Sequence, residues 1–415
     1  MSVASNLKAL RPASAILLSA SLLLSVSMGL RQSLGIFLQP LTHDVGITVA
    51  NFTLAVAVQN LAWGFLQPVS GALTDRYGFR PIMLVGALLY IAGLALLGSA
   101  HGMTSIVIGA GVLIGVSLSC TAAAIANSVA SRAVSVALRS TVLGIVSGAG
   151  SLGAMIAAPI GQVLSQDFGW RTGIFGFCAI SLLLIPAAWI AGRVDRIPVT
   201  AHEGETDIDK VDAGTAARAA FANPSFLVMT CAYFVCGMQL VFLTTHLPSY
   251  LAICGMDPML SAEALGMIGG FNVLGSLFFG WAGGRWNKLA LLGGMYISRS
   301  LILVGYFMTP PTPTSTLVFS ALMGFLWLGV SPLVSGAIVE MFGLRWQAMI
   351  AGIAFSSHQL GSFLGAYGGG LVFDTTGSYG LAWRVGAAVG LTAGVIQVAF
   401  ALLKPMPPPQ VLATQ

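Results

Sequence analysis

Apolar runs of roughly 20 residues recur along this chain from end to end, and they do not alternate with a period of two. Ile82–Ala100 is typical: apolar and small residues follow one another without a charge. A run of that length carries a helix across a hydrocarbon layer about 30 Å thick. The pattern predicts twelve helical spans, at about 13–40, 47–74, 81–100, 104–131, 139–165, 171–192, 225–251, 261–283, 288–308, 316–341, 346–373 and 382–403. The rhythm fails once, at RVDRIPVTAHEGETDIDKVDAGTAARAAFANP. That stretch is too charged to enter a bilayer and too poor in large apolar residues to fold alone, so it reads as a linker. The expected organisation is a six-helix bundle over 1–192, a cytoplasmic linker over 193–224 and a second six-helix bundle over 225–415, ending in the proline-rich tail KPMPPPQ. The fold class is an all-α polytopic membrane protein.

Composition agrees. Of the 415 residues 56% are hydrophobic and 7% charged, against about 25% charged in a soluble domain. The net charge of +5 does not point to nucleic acid, because the basic residues sit between apolar runs and form no phosphate-binding stripe. With the N-terminus inside, fourteen lie on inner segments: Lys8, Arg11, Arg76, Arg80, Arg132, Arg139, Arg193, Arg196, Lys210, Arg218, Arg285, Lys288, Arg345 and Lys404. Two, Arg171 and Arg384, lie on outer loops, and Arg31 and Arg299 fall inside spans. This asymmetry predicts a multi-pass protein of a cell membrane with both termini cytoplasmic. Lys8 and Arg11 before an apolar stretch resemble a signal peptide, but no convincing cleavage site follows and the run continues to Pro40, so a retained helix is expected. Cys120, Cys178, Cys231, Cys236 and Cys254 include no CxxC pair and read as inert thiols. No metal or cofactor is expected, and a monomer is. Fifty-one glycines suit close helix packing.

The two halves repeat. Gly71-Ala-Leu-Thr-Asp75-Arg76-Tyr-Gly78-Phe-Arg80-Pro81 follows the second span, and Gly280-Trp-Ala-Gly-Gly284-Arg285-Trp-Asn-Lys288 follows the eighth. A shift of 209 brings Gly71 onto Gly280 and Arg76 onto Arg285. A shift of 208 brings Gly144 onto Gly352, Leu152 onto Leu360 and Gly169 onto Gly377. Such a parallel duplication places a pathway at the interface between halves.

With these features the chain resembles the major facilitator superfamily of secondary transporters. That family's signature loop, G-x-x-x-D-R-x-G-R-R, matches Gly71 to Arg80 with one inserted residue before the last Arg. Three further stretches are similar to its monocarboxylate porter and oxalate–formate antiporter branch: Gly29-Leu-Arg31-Gln-Ser-Leu-Gly35, Thr245-His246-Leu-Pro248-Ser-Tyr250 and Ser357-His358-Gln359-Leu-Gly361. The resemblance implies transport of a mono- or dicarboxylate by alternating access, and an essential Arg on the eighth helix. This chain has Asn272 there instead. It also implies that the ninth helix, with Arg299, stands outside the pathway.

Arg31 is the most informative residue. A charge inside a membrane helix costs about 2.5–3.5 kcal/mol on insertion scales, and Arg31 lies roughly 25 Å into its span. It reads as a cation facing a central cavity, or as a structural Arg bonded to carbonyls. Arg299 reads as a substrate ligand, or as bonded to Asn272, Ser298 or a carbonyl. All thirteen acids fall in loops or at span ends, so the cavity is expected to be electropositive and suited to a small organic anion. A coupling proton, if there is one, has only His358, His246 or the substrate to ride on. Other polar residues at cavity depth are Gln32, Gln59, Asn60, Ser119, Thr121, Gln239, Asn272 and Gln359. Asp75, Arg76, Arg80, Arg132, Arg285 and Glu340 are expected at the inner gate, with Arg285 facing Glu340. The expected function is therefore a secondary transporter of a small organic anion, with membrane lipids as partners and protons as the candidate coupling ion. The alternatives are a proton-driven exporter of hydrophobic drugs and a transporter-derived nutrient receptor. An enzyme is not expected, since HExxH, GxSxG and an intramembrane acid pair are missing from the sequence.

Overall fold

Each apolar run forms a helix because, in hydrocarbon, a spanning segment must satisfy its own backbone groups. The computed structural model describes residues 13–47, 49–197 and 211–403; Lys8, Arg11, Lys210, Lys404 and the proline-rich tail lie outside them. The first six spans are α1 (Ser14–Phe37), α2 (Val49–Tyr77), α3 (Phe79–Gly98), α4 (Met103–Ala133), α5 (Val136–Phe168) and α6 (Trp170–Arg196). The second six are α7 (Pro224–Ile253), α8 (Pro258–Ala282), α9 (Lys288–Phe307), α10 (Pro313–Phe342), α11 (Gln347–Thr376) and α12 (Gly380–Leu403). Large apolar side chains such as Leu88, Ile156, Leu274 and Val395 are more than half exposed, as expected of a surface solvated by lipid tails.

Ten of these helices are long and apolar enough to cross a membrane by length and composition alone. The other two, α2 and α11, are as long but carry Gln59, Asn60 and Gln67, and Ser356, Ser357, His358 and Gln359. These two pack along each other where the bundles meet, as α5 and α8 do. Their polarity is therefore turned towards protein.

Helices α4 and α10 are broken, and α6 is interrupted at Leu182–Leu183. In α4 a π-helical stretch runs from Val107 to Leu113, and Ala122 leaves helical geometry. In α10 the helix stops at Phe325 and restarts at Val330. Irregular backbone at this depth is tolerated where protein partners satisfy the freed groups. At the α2–α3 turn Gly78 takes a φ of 85°, which an L side chain rarely adopts. The Asp195 carboxylate, at the end of α6, accepts from the backbone N–H groups of Phe79 (2.8 Å) and Arg80 (3.0 Å). It thereby caps the start of α3.

Part of the linker stretch is helical. Ala213–Ala222 forms a helix, capped by the Asp212 carboxylate accepting from Gly214 and Thr215. Ala216 and Ala220 are fully buried and share an apolar cluster with Phe226 and Met229. An alanine-rich stretch too small to fold alone is thus held by packing on the second bundle. At the opposite end of the molecule, Arg171 and the Trp170 indole hold the Asp44 carboxyl below the usual carboxylate range.

Candidate substrate site between the two bundles

Arg31 stands near the end of the α-helical part of α1, partly buried, and reaches across to α2. Its Nε donates to Gln59 Oε1 (3.0 Å), its Nη2 donates to Asn60 Oδ1, and its guanidinium lies over the Trp63 ring at 5.0 Å. Gln59 is anchored in turn, its Nε2 donating to the carbonyl of Ala110 (2.6 Å) within the π-helical stretch of α4. From the second bundle, Gln359 donates to the Asn60 carbonyl at 3.2 Å. Among the described residues the hydrogen bonds of Arg31 go to neutral groups and none to a carboxylate. The guanidinium is placed by amides while its charge stays unneutralised.

The second bundle supplies the facing wall. His358 is partly buried between Tyr233 (ring centroids 4.7 Å) and Phe355 (5.4 Å, nearly parallel). Its Nδ1 lies 3.3 Å from Gln359 Oε1 and 3.4 Å from Ser362 Oγ. Phe355 reaches Trp63 at 4.5 Å, which joins the two walls through aromatic faces. Arg31, Asn60, Tyr233, Phe355 and His358 all keep some exposure at mid-helix. Trp63, Tyr233 and Phe355 had not been singled out in the sequence; an aromatic residue in an apolar run carries no mark of the side it faces.

Other expected site residues lie elsewhere. Arg299 is fully buried within the second bundle. It donates to the carbonyls of Leu326 and Trp327 at the break in α10, and to Cys236 Sγ. Asn272 holds the same break, accepting from the Leu328 N–H at 2.7 Å, and among the described residues the bonds of Arg299 go to Leu326, Trp327 and Cys236 rather than to Asn272. Gln239 donates to Ser300 Oγ and the Gly386 carbonyl, inside the second bundle. His246 bonds the Ala366 carbonyl (2.9 Å) and faces Tyr379. Ser119 is buried against Ser70, Thr121 bonds the Ser117 carbonyl, and Gln32 is exposed. Of the twelve charged and polar residues expected at cavity depth, the geometry gathers Arg31, Gln59, Asn60, His358 and Gln359.

Among the described residues, hydrogen bonds between the bundles run from this site towards the linker end. Asn127 donates to Ser331 and Ser335, and Ser140 to the Gly280 carbonyl. At the rim Asp75 accepts two bonds from Arg345 (2.8 and 2.9 Å), and Arg132 donates to the carbonyls of Leu344 and Arg345. Arg76 stacks on Tyr77 and Arg80 on Trp189. The expected Arg285–Glu340 contact is replaced. Lys288 pairs with Glu340, its stem lying beside Gly336, while Arg285 in the preceding turn folds back over Trp281.

Residues 20–366 match the family model described as Major Facilitator Superfamily. The chain belongs to that superfamily. Among curated members it is similar to monocarboxylate transporter 13 of Bos taurus, 23% identical over 96% of this chain and 93% of that one. It is also similar to the sialic acid transporter NanX of Escherichia coli K12, 26% identical over 87% of this chain and 84% of that one. Among solved structures, the E. coli fucose:proton symporter FucP superposes with a TM-score of 0.71, 16% identity and coverage of 93% and 97%. Members of this superfamily with monocarboxylate names are thus among its relatives, the branch that the Arg31, His246 and His358 stretches resemble.

Proposed function

We propose that this superfamily member carries a small organic anion, a carboxylate, across the membrane by alternating access of its two bundles. The observation that carries this reading is Arg31: a guanidinium between the bundles, oriented by Gln59 and Asn60 and bonded to no acid among the described residues. A carboxylate offers that planar fork a bidentate, charge-assisted pair stronger than the neutral amide bonds it replaces. The aromatic wall of Trp63, Phe355 and Tyr233 excludes water and strengthens that pairing. Monocarboxylate and sialic acid names among the relatives support an acidic substrate. Hydrogen bonds clustered at the linker end support a carrier closed on that side, and the arginine and lysine distribution supports reading it as the cytoplasmic side. Substrate would enter from the other side.

Counterflow in liposomes with a panel of labelled carboxylates tests the proposal, and separates a carrier from a receptor that binds without translocating. Arg31→Ala is expected to abolish counterflow of whichever acid is carried. Arg31→Lys should leave less than a tenth, because an ammonium lacks the fork. Near-normal counterflow in either variant would remove Arg31 as the anion ligand. Transport of uncharged drugs and of no acid would favour the exporter reading.

A further inference from the structure

Two buried glutamines of α2 stand eight residues apart with Trp63 midway, so Gln59, Trp63 and Gln67 share one face of the helix. Each glutamine makes the same pair of bonds. Gln59 donates from Nε2 to the Ala110 carbonyl and accepts at Oε1 from Arg31 Nε. Gln67 donates from Nε2 to the Ser119 carbonyl (2.8 Å) and accepts at Oε1 from Trp63 Nε1 (3.0 Å). Both carbonyls belong to irregular parts of α4. Ala110 lies in the π-helical stretch, and Ser119 lies in the last turn before Ala122, where carbonyls lose their helical partners. In both cases the amide nitrogen grips the main chain of α4 while the amide oxygen holds a group of the site.

Only one orientation of the Gln67 amide serves both partners, because an indole N–H can only donate and a carbonyl can only accept. The bond pins the Nε1 edge of the Trp63 indole, and with it the plane of the ring. Over that ring the Arg31 guanidinium lies at 5.0 Å, and against it Phe355 of the second bundle packs at 4.5 Å. A ring free to turn would give up both contacts. We propose that Gln67 is a positioning residue for anion binding. It touches no substrate; it locks the Trp63 ring against Arg31, so that the guanidinium keeps one face on the indole and turns its edge to the anion. The inference rests on the proposed role of Arg31 and completes its support: Gln59 holds the guanidinium by its Nε–H, and Gln67 holds the ring beneath it.

The test uses the full-length protein in nanodiscs with isotope-labelled arginine, and reads the Arg31 Nε–H magnetic resonance signal, assigned by its loss in Arg31→Lys. The ring current of Trp63 displaces that signal in the parent. Gln67→Met is expected to move and broaden it. Gln67→Asn, too short to span both partners, should do the same if the first variant fails to fold. In a Trp63→Phe background, Gln67→Met should move the signal no further, because the bond it removes is already gone. Counterflow of labelled acetate and benzoate is read beside it. For an acid that is carried, Gln67→Met should raise the half-saturating concentration roughly three- to tenfold, with the maximal rate little changed. The double variant should be no worse than Trp63→Phe alone. A signal unmoved by Gln67→Met, or moved equally in the Trp63→Phe background, would overturn the proposal and make Gln67 a brace for α4 alone. The signal is read without substrate, so failure of both acids in counterflow would count against the carboxylate reading while a displaced signal still upheld the placement by Gln67.

Discussion

The chemistry of the site turns on a few side chains that meet from different helices. Arg31 supplies charge, Gln59 and Asn60 its orientation, and Gln359 ties that arrangement to the second bundle through the Asn60 carbonyl. His358 is the titratable group on the opposite wall, faced by Tyr233 and lying within electrostatic reach of Arg31 and Arg299. A carboxylate bound between Arg31 and His358 would favour a protonated imidazole, so a proton could enter with the anion. Net uptake should then rise as the external pH falls through the range where imidazole titrates. His358→Gln should flatten that profile while leaving exchange between preloaded liposomes largely intact, since exchange needs no return of the empty carrier. A variant with the wild-type profile would make His358 structural. Arg31 was legible in the sequence because a membrane helix does not carry a guanidinium without a use for it. Its aromatic neighbours were not, because Trp63 and Phe355 look the same in sequence as the lipid-facing Phe65 and Phe363.

At the scale of the helices, the break in α10 is what Arg299 serves. Where a helix stops, its last carbonyls lose their partners, and a cation at that end satisfies both the hydrogen bonds and the dipole. Arg299 takes the Leu326 and Trp327 carbonyls while Asn272 takes the Leu328 N–H. Arg299→Met should orphan buried carbonyls at about 1–3 kcal/mol each. Purified protein should then show a clearly lower melting temperature, with substrate affinity retained by the fraction that folds. A variant that melts like the parent but no longer binds would return Arg299 to the substrate. The sequence placed this charge within its helix but could not show what it met, since Gly324 and Gly329 beside the break look the same in sequence as the glycines inside unbroken spans. The repeated glycines were more informative. A Cβ on Gly71 would stand 2.4 Å from the Ala348 carbonyl carbon, and one on Gly144 2.7 Å from the Gly280 Cα. One on Gly352 would stand 2.5 Å from the Pro68 nitrogen. Four of the positions that reveal the duplication, Gly71, Gly144, Gly280 and Gly352, are therefore ones where backbones of opposite bundles touch, at α2–α11 and at α5–α8.

For the whole molecule, the proposed alternating access would use those two crossings as pivots and the linker-end contacts as a latch. The latch is the pairing of Asp75 with Arg345, beside Arg132 on the Leu344 and Arg345 carbonyls. The pair lies well away from Arg31 and is partly exposed, the side chains retaining 18% and 36% accessibility, so solvent screens it. Its bidentate geometry still makes it worth up to about 1 kcal/mol, roughly a factor of five in the balance between linker-end-closed and linker-end-open states. Asp75→Asn keeps the size and one acceptor oxygen but removes the charge. The variant should bind substrate within a few-fold of the parent, because the latch touches no substrate ligand. It should alter the maximal transport rate more than the affinity, because each cycle must both form and break this contact. Spin labels placed across the linker end should show a larger open population in the variant, and Arg345→Gln should reproduce it. The two substitutions combined should do little more than either alone, since each removes the same interaction. A large loss of equilibrium affinity with an unchanged maximal rate would instead put Asp75 among the groups that hold the site together, and the linker-end latch would have to be sought in Arg132 on the Leu344 and Arg345 carbonyls and in Gln347 on Ser131.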